Sequence, residues 1–289
     1  MGNSAAVDLG GPLTDQHVLS AISRLRDLPA STPVVHRALC QFDDPNFAVE
    51  NLKKILLGDP AVSARILRLA NSAYFGFRSE VQTVSQAVVL LGQDRIRTLL
   101  RRLLIDSVIT TLAQGRTAAA PIRRMSLATA TASSILSQLL SNQDVEEMLL
   151  AGLLHNIGDL FFLSQFAPEY WRVGQLAEQV GHREATRTVF GMTSGHAGSL
   201  LLESWRFPPL YTTVTEHVDS PEGQSSAVVL VHAGKKLAEA FIGALDVVDA
   251  VERVAPQVCE QLSLAPELLA EVYHALPQRM SMEQLQASR

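Results

Sequence analysis

Asp59-Pro-Ala-Val-Ser-Ala-Arg-Ile-Leu-Arg-Leu-Ala-Asn-Ser-Ala-Tyr-Phe-Gly76 is the stretch on which the fold is read. Aspartate suits an N-cap and Pro60 the first helical position, where a missing N–H costs nothing. Ile66, Leu67, Leu69 and Ala70 then turn inward, while Arg65 and Arg68 turn outward, which is the 3.6-residue period of a helix. Asn71 to Gly76 breaks it, and Asn71, Ser72 and Tyr74 are expected to hold that loop through side-chain-to-backbone bonds. Upstream, Val49, Leu52, Ile55 and Leu56 form one helical face that Gly58 ends. Downstream, Thr83 and Gln86 make a capping box before Ala87–Leu91. Gly92 stops that helix, and Asp94 opens a longer one to about Thr111.

The rest of the chain reads the same way. Residues 113–120 are small and form the best candidate boundary. Ile122–Leu140 is an Ala/Ser-rich helix suited to close packing. Asp144–Leu154 is amphipathic, with Glu146 and Glu147 matching the positive end of its dipole. Further helices are expected near 169–180, 183–189, 198–204, 210–217, 226–241, 247–262 and 266–276. Period-two patterns are scarce. The expectation is an all-α chain of two packed helical subdomains, residues 16–114 and 115–289, after an unpatterned, disordered start at 1–15.

Composition sets the outer limits. The chain has 289 residues, 47% hydrophobic and 18% charged, enough for a large core without staples. No uncharged run reaches the ~18–20 residues of a membrane span, and the start lacks a signal-peptide pattern. Two cysteines, Cys40 and Cys259, exclude a disulfide scaffold and a cysteine-based zinc cluster. A reducing cytoplasmic setting is the expectation. Cys40 reads as a small buried hydrophobe. Net charge is −5, which argues against a dedicated nucleic-acid binder. The charge is uneven, +4 over residues 16–114 and −7 over 115–289.

Ala151-Gly-Leu-Leu-His155-Asn156-Ile-Gly-Asp159 places a histidine at the end of an apolar helix, beside an amide and a turn glycine. By itself this describes a buried, backbone-bonded histidine. In context it resembles the His-Asp motif of the HDOD family, regulatory modules related to HD-type metal-dependent phosphohydrolases. Leu28-Pro-Ala-Ser-Thr-Pro-Val-Val, the Asp59–Gly76 stretch and Ala87-Val-Val-Leu-Leu-Gly92 resemble that family too. Gly198–Trp205 and Val231-His232-Ala233 do so more weakly. The likeness covers about Val18 to Ala240 and implies that the C-terminal subdomain is HD-like.

The departures from the family pattern concern the metal. Met125 stands where the family's first histidine would be, and a thioether is a poor ligand for a hard cation. Asn156 replaces the aspartate, so its oxygen carries no net charge. Ser194 replaces a further histidine, with His196 near but out of register. His217 and Val218 fall at the His-His pair, with a one-residue shift. Lys235, a cation, falls where the last metal aspartate belongs. The resemblance therefore implies a vestigial site formed by Met125, His155, Asn156, Ser194, His217 and Lys235, with no catalytic residue, no metal and no cofactor. Such a site is either filled by side chains or open to a small anion or nucleotide. His17, His36, His182, His232 and His274 are expected to share no site, and Trp171 and Trp205 to be core or inter-helix anchors.

Arg95, Arg97, Arg101 and Arg102 form the densest basic cluster, with Arg65 and Arg68 on a neighbouring helix and Arg97 rotated away from the shared face. One reading is solvated faces with internal pairing to Asp94 and Asp106. The other is a platform for an acidic protein partner. Nucleic acid is disfavoured because no aromatic residue interleaves. The resemblance implies a signalling protein in the bacterial cytoplasm, whose partners are proteins of cyclic-dinucleotide turnover or response regulators. A nucleotide sensor without turnover, a residual phosphodiesterase and a transcription regulator are the alternatives.

Overall fold

The computed structural model describes residues 13–25, 32–43, 48–71, 81–140 and 143–288. The described residues contain helices and no strand. In order they are α1 (Asp15–Arg24), α2 (Thr32–Cys40), a 3-10 turn at Gln41–Asp43, α3 (Val49–Leu57), α4 (Pro60–Ala70) and α5 (Val84–Ala113). Then come α6 (Ala119–Leu140), α7 (Val145–Leu154), α8 (Ile157–Gln165), α9 (Ala167–Val180), α10 (His182–Phe190) and α11 (Ser194–Ser204). The chain closes with α12 (Pro209–His217), α13 (Ser226–Ile242), α14 (Val247–Glu252), α15 (Pro256–Leu262) and α16 (Pro266–Ser288).

Local chemistry sets the punctuation. Thr83 Oγ1 accepts from Gln86 N at 3.1 Å while Gln86 Oε1 accepts from Thr83 N at 3.1 Å, the capping box read from the sequence. Asp144 caps α7 by accepting from Glu147 N at 2.9 Å. Gly92 interrupts α5 with φ 74°, a left-handed value that favours glycine. Thr193 accepts from His196 N at 3.1 Å, so α11 begins at Ser194, four residues before the expected start. Pro256 separates α14 from α15 where one helix was expected, and α16 runs on through Pro277. At the start, Thr14 donates its N–H to His17 Nδ1 at 3.2 Å and Asp15 opens α1, so the unpatterned segment does not extend to residue 15.

The apolar core is continuous, from Val18 and Ile22 in α1 to Leu269 and Leu276 in α16. The two expected halves share it. α5 lines α2, α3 and α4 on one side and reaches α7 and α8 on the other. α6 is the central post, flanked by α7, α13 and α16. Its small residues let neighbours come close: a Cβ on Gly152 would fall 2.5 Å from Ala130 Cα. α8 crosses α11 as tightly, and a Cβ on Gly158 would overlap the Ser194 carbonyl. Trp205 is buried and donates its indole N–H to Leu25 O at 2.8 Å. Trp171 is neither the core nor the inter-helix anchor expected; it is 69% exposed on α9. The reason is register: α9 turns Val173 inward, and Trp171 sits two residues away on the outer face. The Leu28–Pro33 motif and the Ser72–Tyr74 loop fall wholly or largely outside the described residues, as do residues 1–12 and the side chain of Cys40.

Candidate functional site: a lysine-centred cluster beside His155

His155 follows the last residue of α7, and α8 begins two residues later. Its side chain is buried, with Nδ1 2.7 Å from Gly152 O. With Nδ1 carrying the proton, the ring donates to that carbonyl, and Nε2 is left buried without a partner. Burial, then the positive charge of Lys235, pushes the imidazole down to about 4, so it is neutral at pH 7. Both polar atoms of the Asn156 amide are engaged within the protein. Its Oδ1 accepts from Ser126 Oγ at 2.6 Å, and its Nδ2 donates to Ile122 O at 3.0 Å. Both partners belong to α6, so the Asn156 amide pins the start of α8 to the central post.

Lys235 projects from α13. Its ammonium donates to Asp219 Oδ1 and lies 3.8 Å from Glu239 Oε1. The lysine side chain is 16% exposed and that of Asp219 33%. Burial works to lower the lysine's affinity for its proton, but the carboxylates of Asp219 and Glu239 outweigh it and the ammonium is held charged. Likewise burial works to raise the Asp219 carboxyl, and the Lys235 charge and hydrogen bond bring it below its usual range. The Asp219 and Asp159 charges both raise the His155 imidazole, but burial and Lys235 outweigh them.

Asp159, in the first turn of α8, is a further carboxylate whose charge acts on His155. Its Oδ1 lies 2.7 Å from His182 Nε2 and accepts from the Tyr170 hydroxyl at 3.1 Å. The Asp159 charge raises the His182 imidazole above its ordinary value. Beside these groups, His232 is buried and bonds Val218 O through Nδ1 at 2.6 Å.

The six residues expected to line the relic do not all meet. Met125 packs on a small apolar cluster with Ala128, Ala238 and Met280, and the neighbouring Ser126 is the residue that touches Asn156. Ser194 is buried where α11 crosses α8. His217 ends α12 half-exposed, 4.0 Å from the Glu216 carboxylate, and that carboxylate also holds His196 Nδ1 at 3.0 Å. Sequence reasoning missed Asp219, Glu239, Tyr170 and Asp159 and dismissed His182. Only Asp159, inside the quoted motif, and Asp219, two residues beyond His217, carried a local signal.

The residues present do not fit a hard divalent cation. Asn156 spends its oxygen on Ser126, the Met125 thioether lies in an apolar cluster, and the centre already holds an ammonium. No group of three potential ligands converges among the described residues.

The basic residues are dispersed. Arg101 Nη1 lies 3.4 Å from Glu147 Oε1 on α7, and Arg65 donates to Ser107 Oγ at 3.0 Å. Arg97 stacks over Phe42, 4.8 Å from the ring centroid. Arg68 and Arg95 are exposed and Arg102 half-buried.

A model of the HDOD domain matches residues 28–221. The fold is shared with a protein provisionally named a phosphohydrolase from Shewanella amazonensis SB2B, at TM-score 0.70 and 24% identity over 92% of this chain and 97% of that one. An HDOD domain protein of unknown function from Geobacter sulfurreducens aligns with TM-score 0.61, 17% identity, and 91% and 98% coverage. An uncharacterized protein of Treponema pallidum is 22% identical over 208 residues, 71% of this chain and 39% of its own length. The chain thus spans about two fifths of that relative. No helix among the described residues is long and apolar enough to cross a membrane. With its model matching about two thirds of the sequence, the chain belongs to the HDOD domain family.

Proposed function

We propose that this chain is a non-catalytic signalling module of the bacterial cytoplasm that works by docking a protein partner. The observation that carries the reading is the Lys235 ammonium, paired with Asp219 and Glu239 where a metal-dependent relative needs an anion. A fixed positive charge there repels a divalent cation, and without that cation no bound water is brought to hydroxide near neutral pH. A neighbour of the same fold from Marinobacter aquaeolei, TM-score 0.64, carries a provisional name of signal transduction protein, which accords with the reading. Proteins of cyclic-dinucleotide turnover and response regulators are the partner classes in view.

The test is metal analysis of the purified protein together with a phosphodiester hydrolysis assay in Mn²⁺. The expected result is no stoichiometric metal and no turnover. Bound metal that disappears in His155→Ala, with turnover that disappears alongside it, overturns the proposal.

One observation favours a second reading, a nucleotide sensor. The buried His155 Nε2 lacks a partner, and an orphaned polar atom invites a ligand. Calorimetric titration with cyclic dinucleotides decides it, since binding to the native state raises stability.

A further inference from the structure

α16 lies across α6 and α13 and is gripped in two unequal parts. Leu269, Val272 and Leu276 are fully buried in the main core, and Tyr273 donates its hydroxyl to Leu245 O. Pro277 then enters the helix with no N–H to give to the carbonyl of Tyr273. The Ser281 hydroxyl donates to Pro277 O at 2.8 Å, a back-bond that bends helices. Pro277, Gln278, Arg279 and Ser281 are exposed, and of residues 277–281 only Met280 goes inside. It does not enter the main core. It joins Ala128 of α6 and Ala238 of α13 in a separate apolar cluster, walled by Met125, Leu127, Phe241 and Ile242. Those four wall residues stay half-buried with Met280 seated among them.

We propose that the cleft between α6 and α13 walled by Met125, Leu127, Phe241 and Ile242 is a docking groove for an amphipathic helix of a partner protein, with the turns of α16 beyond Pro277 as its built-in, displaceable occupant. The proposal deepens the docking role above and rests on it. The seated segment sets the chemistry of the incoming one: a helix with an aliphatic or thioether side chain at the Met280 position and polar residues on its outer face. Met125 and Met280 suit an exchange of occupants, since unbranched thioethers repack around different neighbours. Met280 alone removes far less apolar surface from water than Leu269, Val272 and Leu276 together, so the end of the helix lifts about Pro277 while its first part stays seated. A second copy of this chain is a poor rival. It brings the same tail without the tether that holds the resident one in place, whereas a partner with a longer apolar stripe outcompetes both.

The experiment is fluorescence anisotropy of the full chain with a labelled synthetic peptide of residues 275–289, and with the same peptide carrying Met280→Gln. Apparent affinity follows the fraction of molecules whose groove is free. The peptide is therefore expected to bind the Met280→Gln chain about tenfold more tightly than the parent. Adding Ile242→Glu to that chain removes the gain, the substituted peptide binds neither chain, and Arg279→Gln, on the exposed side, leaves the parent's binding unchanged. Hydrogen exchange of the parent supplies a second readout: amides beyond Pro277 exchange faster than those of 268–276, and Pro277→Ala slows them several-fold. Position 277 is exposed, so this variant keeps the test sound if Met280→Gln unfolds the chain. Equal peptide binding by the parent and Met280→Gln, a gain that survives Ile242→Glu, or tail amides as protected as the rest of α16 overturns the proposal. So does a dimer of the parent that Met280→Gln abolishes in sedimentation, which would give the groove to a second copy. Those outcomes leave the non-catalytic reading intact, whereas turnover of a phosphodiester would sink that reading and leave the peptide result standing.

Discussion

Lys235 donates its ammonium to Asp219 across the gap between α13 and the end of α12. The pair joins two residues 16 apart in sequence, and Glu239 supports the lysine from one turn along its own helix. The fold thus holds a fixed ammonium between two carboxylates.

Replacing that cation by an apolar group strands a carboxylate. Lys235→Met is expected to destabilise the protein by about 1–3 kcal/mol, below the range for fully buried pairs because Asp219 is one third exposed. Urea denaturation at pH 7 checks it. A variant as stable as the parent would show that the pair contributes nothing.

His155 makes stability depend on pH. Its folded-state value, about 4, lies below the 6.5 of a free imidazole, so the unfolded chain binds the extra proton between those values. The contribution is present in full above pH 6.5 and is lost as pH falls toward 4. Its size is on the order of 3 kcal/mol. Urea midpoints at pH 7, 5.5 and 4.5 should fall more steeply for the parent than for His155→Gln.

His182 has the opposite sign. Asp159 raises its imidazole above 6.5, so the stabilisation is present below that value and is lost as pH rises through the folded value. The ring is 45% exposed, which limits the effect to below about 1 kcal/mol. An NMR titration should place the His182 transition above the ordinary imidazole range, and Asp159→Asn should bring it back down. A His182 transition unmoved by Asp159→Asn would contradict the pairing.

Restoring the family's aspartate should harm this protein. Asn156→Asp keeps the acceptor for Ser126 but exchanges the Nδ2 donor to Ile122 O for a second carboxylate oxygen. Two acceptors then face each other, at a cost of about 1–3 kcal/mol. Thermal melts with and without Mn²⁺ test this. The expected result is a lower midpoint that the ion does not recover.

Gly158→Ala is expected to be the most damaging single methyl group tested, because it would collide with the Ser194 backbone where α8 crosses α11. Circular dichroism should show a melting point lowered by many degrees, or no folded protein at all.

Helix boundaries were legible where a single residue type decides them. Thr83 with Gln86, Gly92 and Asp144 each act through a local bond or dihedral, so their neighbours in sequence suffice. The departure of Asn156 from the family's His-Asp motif was readable in the sequence. The side chains that surround His155 were not. Lys235 meets Asp219, and Asp159 meets His182 and Tyr170, through packing of α8, α9, α10 and α13, and no spacing rule encodes those meetings. Met125 failed for the opposite reason: its motif position is plain, but a rotation of one residue along α6 gives the Asn156 contact to Ser126.

The Trp205 indole that bonds Leu25 closes a ring of 180 residues. A search for partners so far apart in the chain is slow, because the intervening segment must lose its freedom before the contact rewards it. This protein should therefore refold more slowly than its helical content suggests. Fluorescence of the buried indole, followed after dilution from denaturant, would lag behind the recovery of helical circular dichroism.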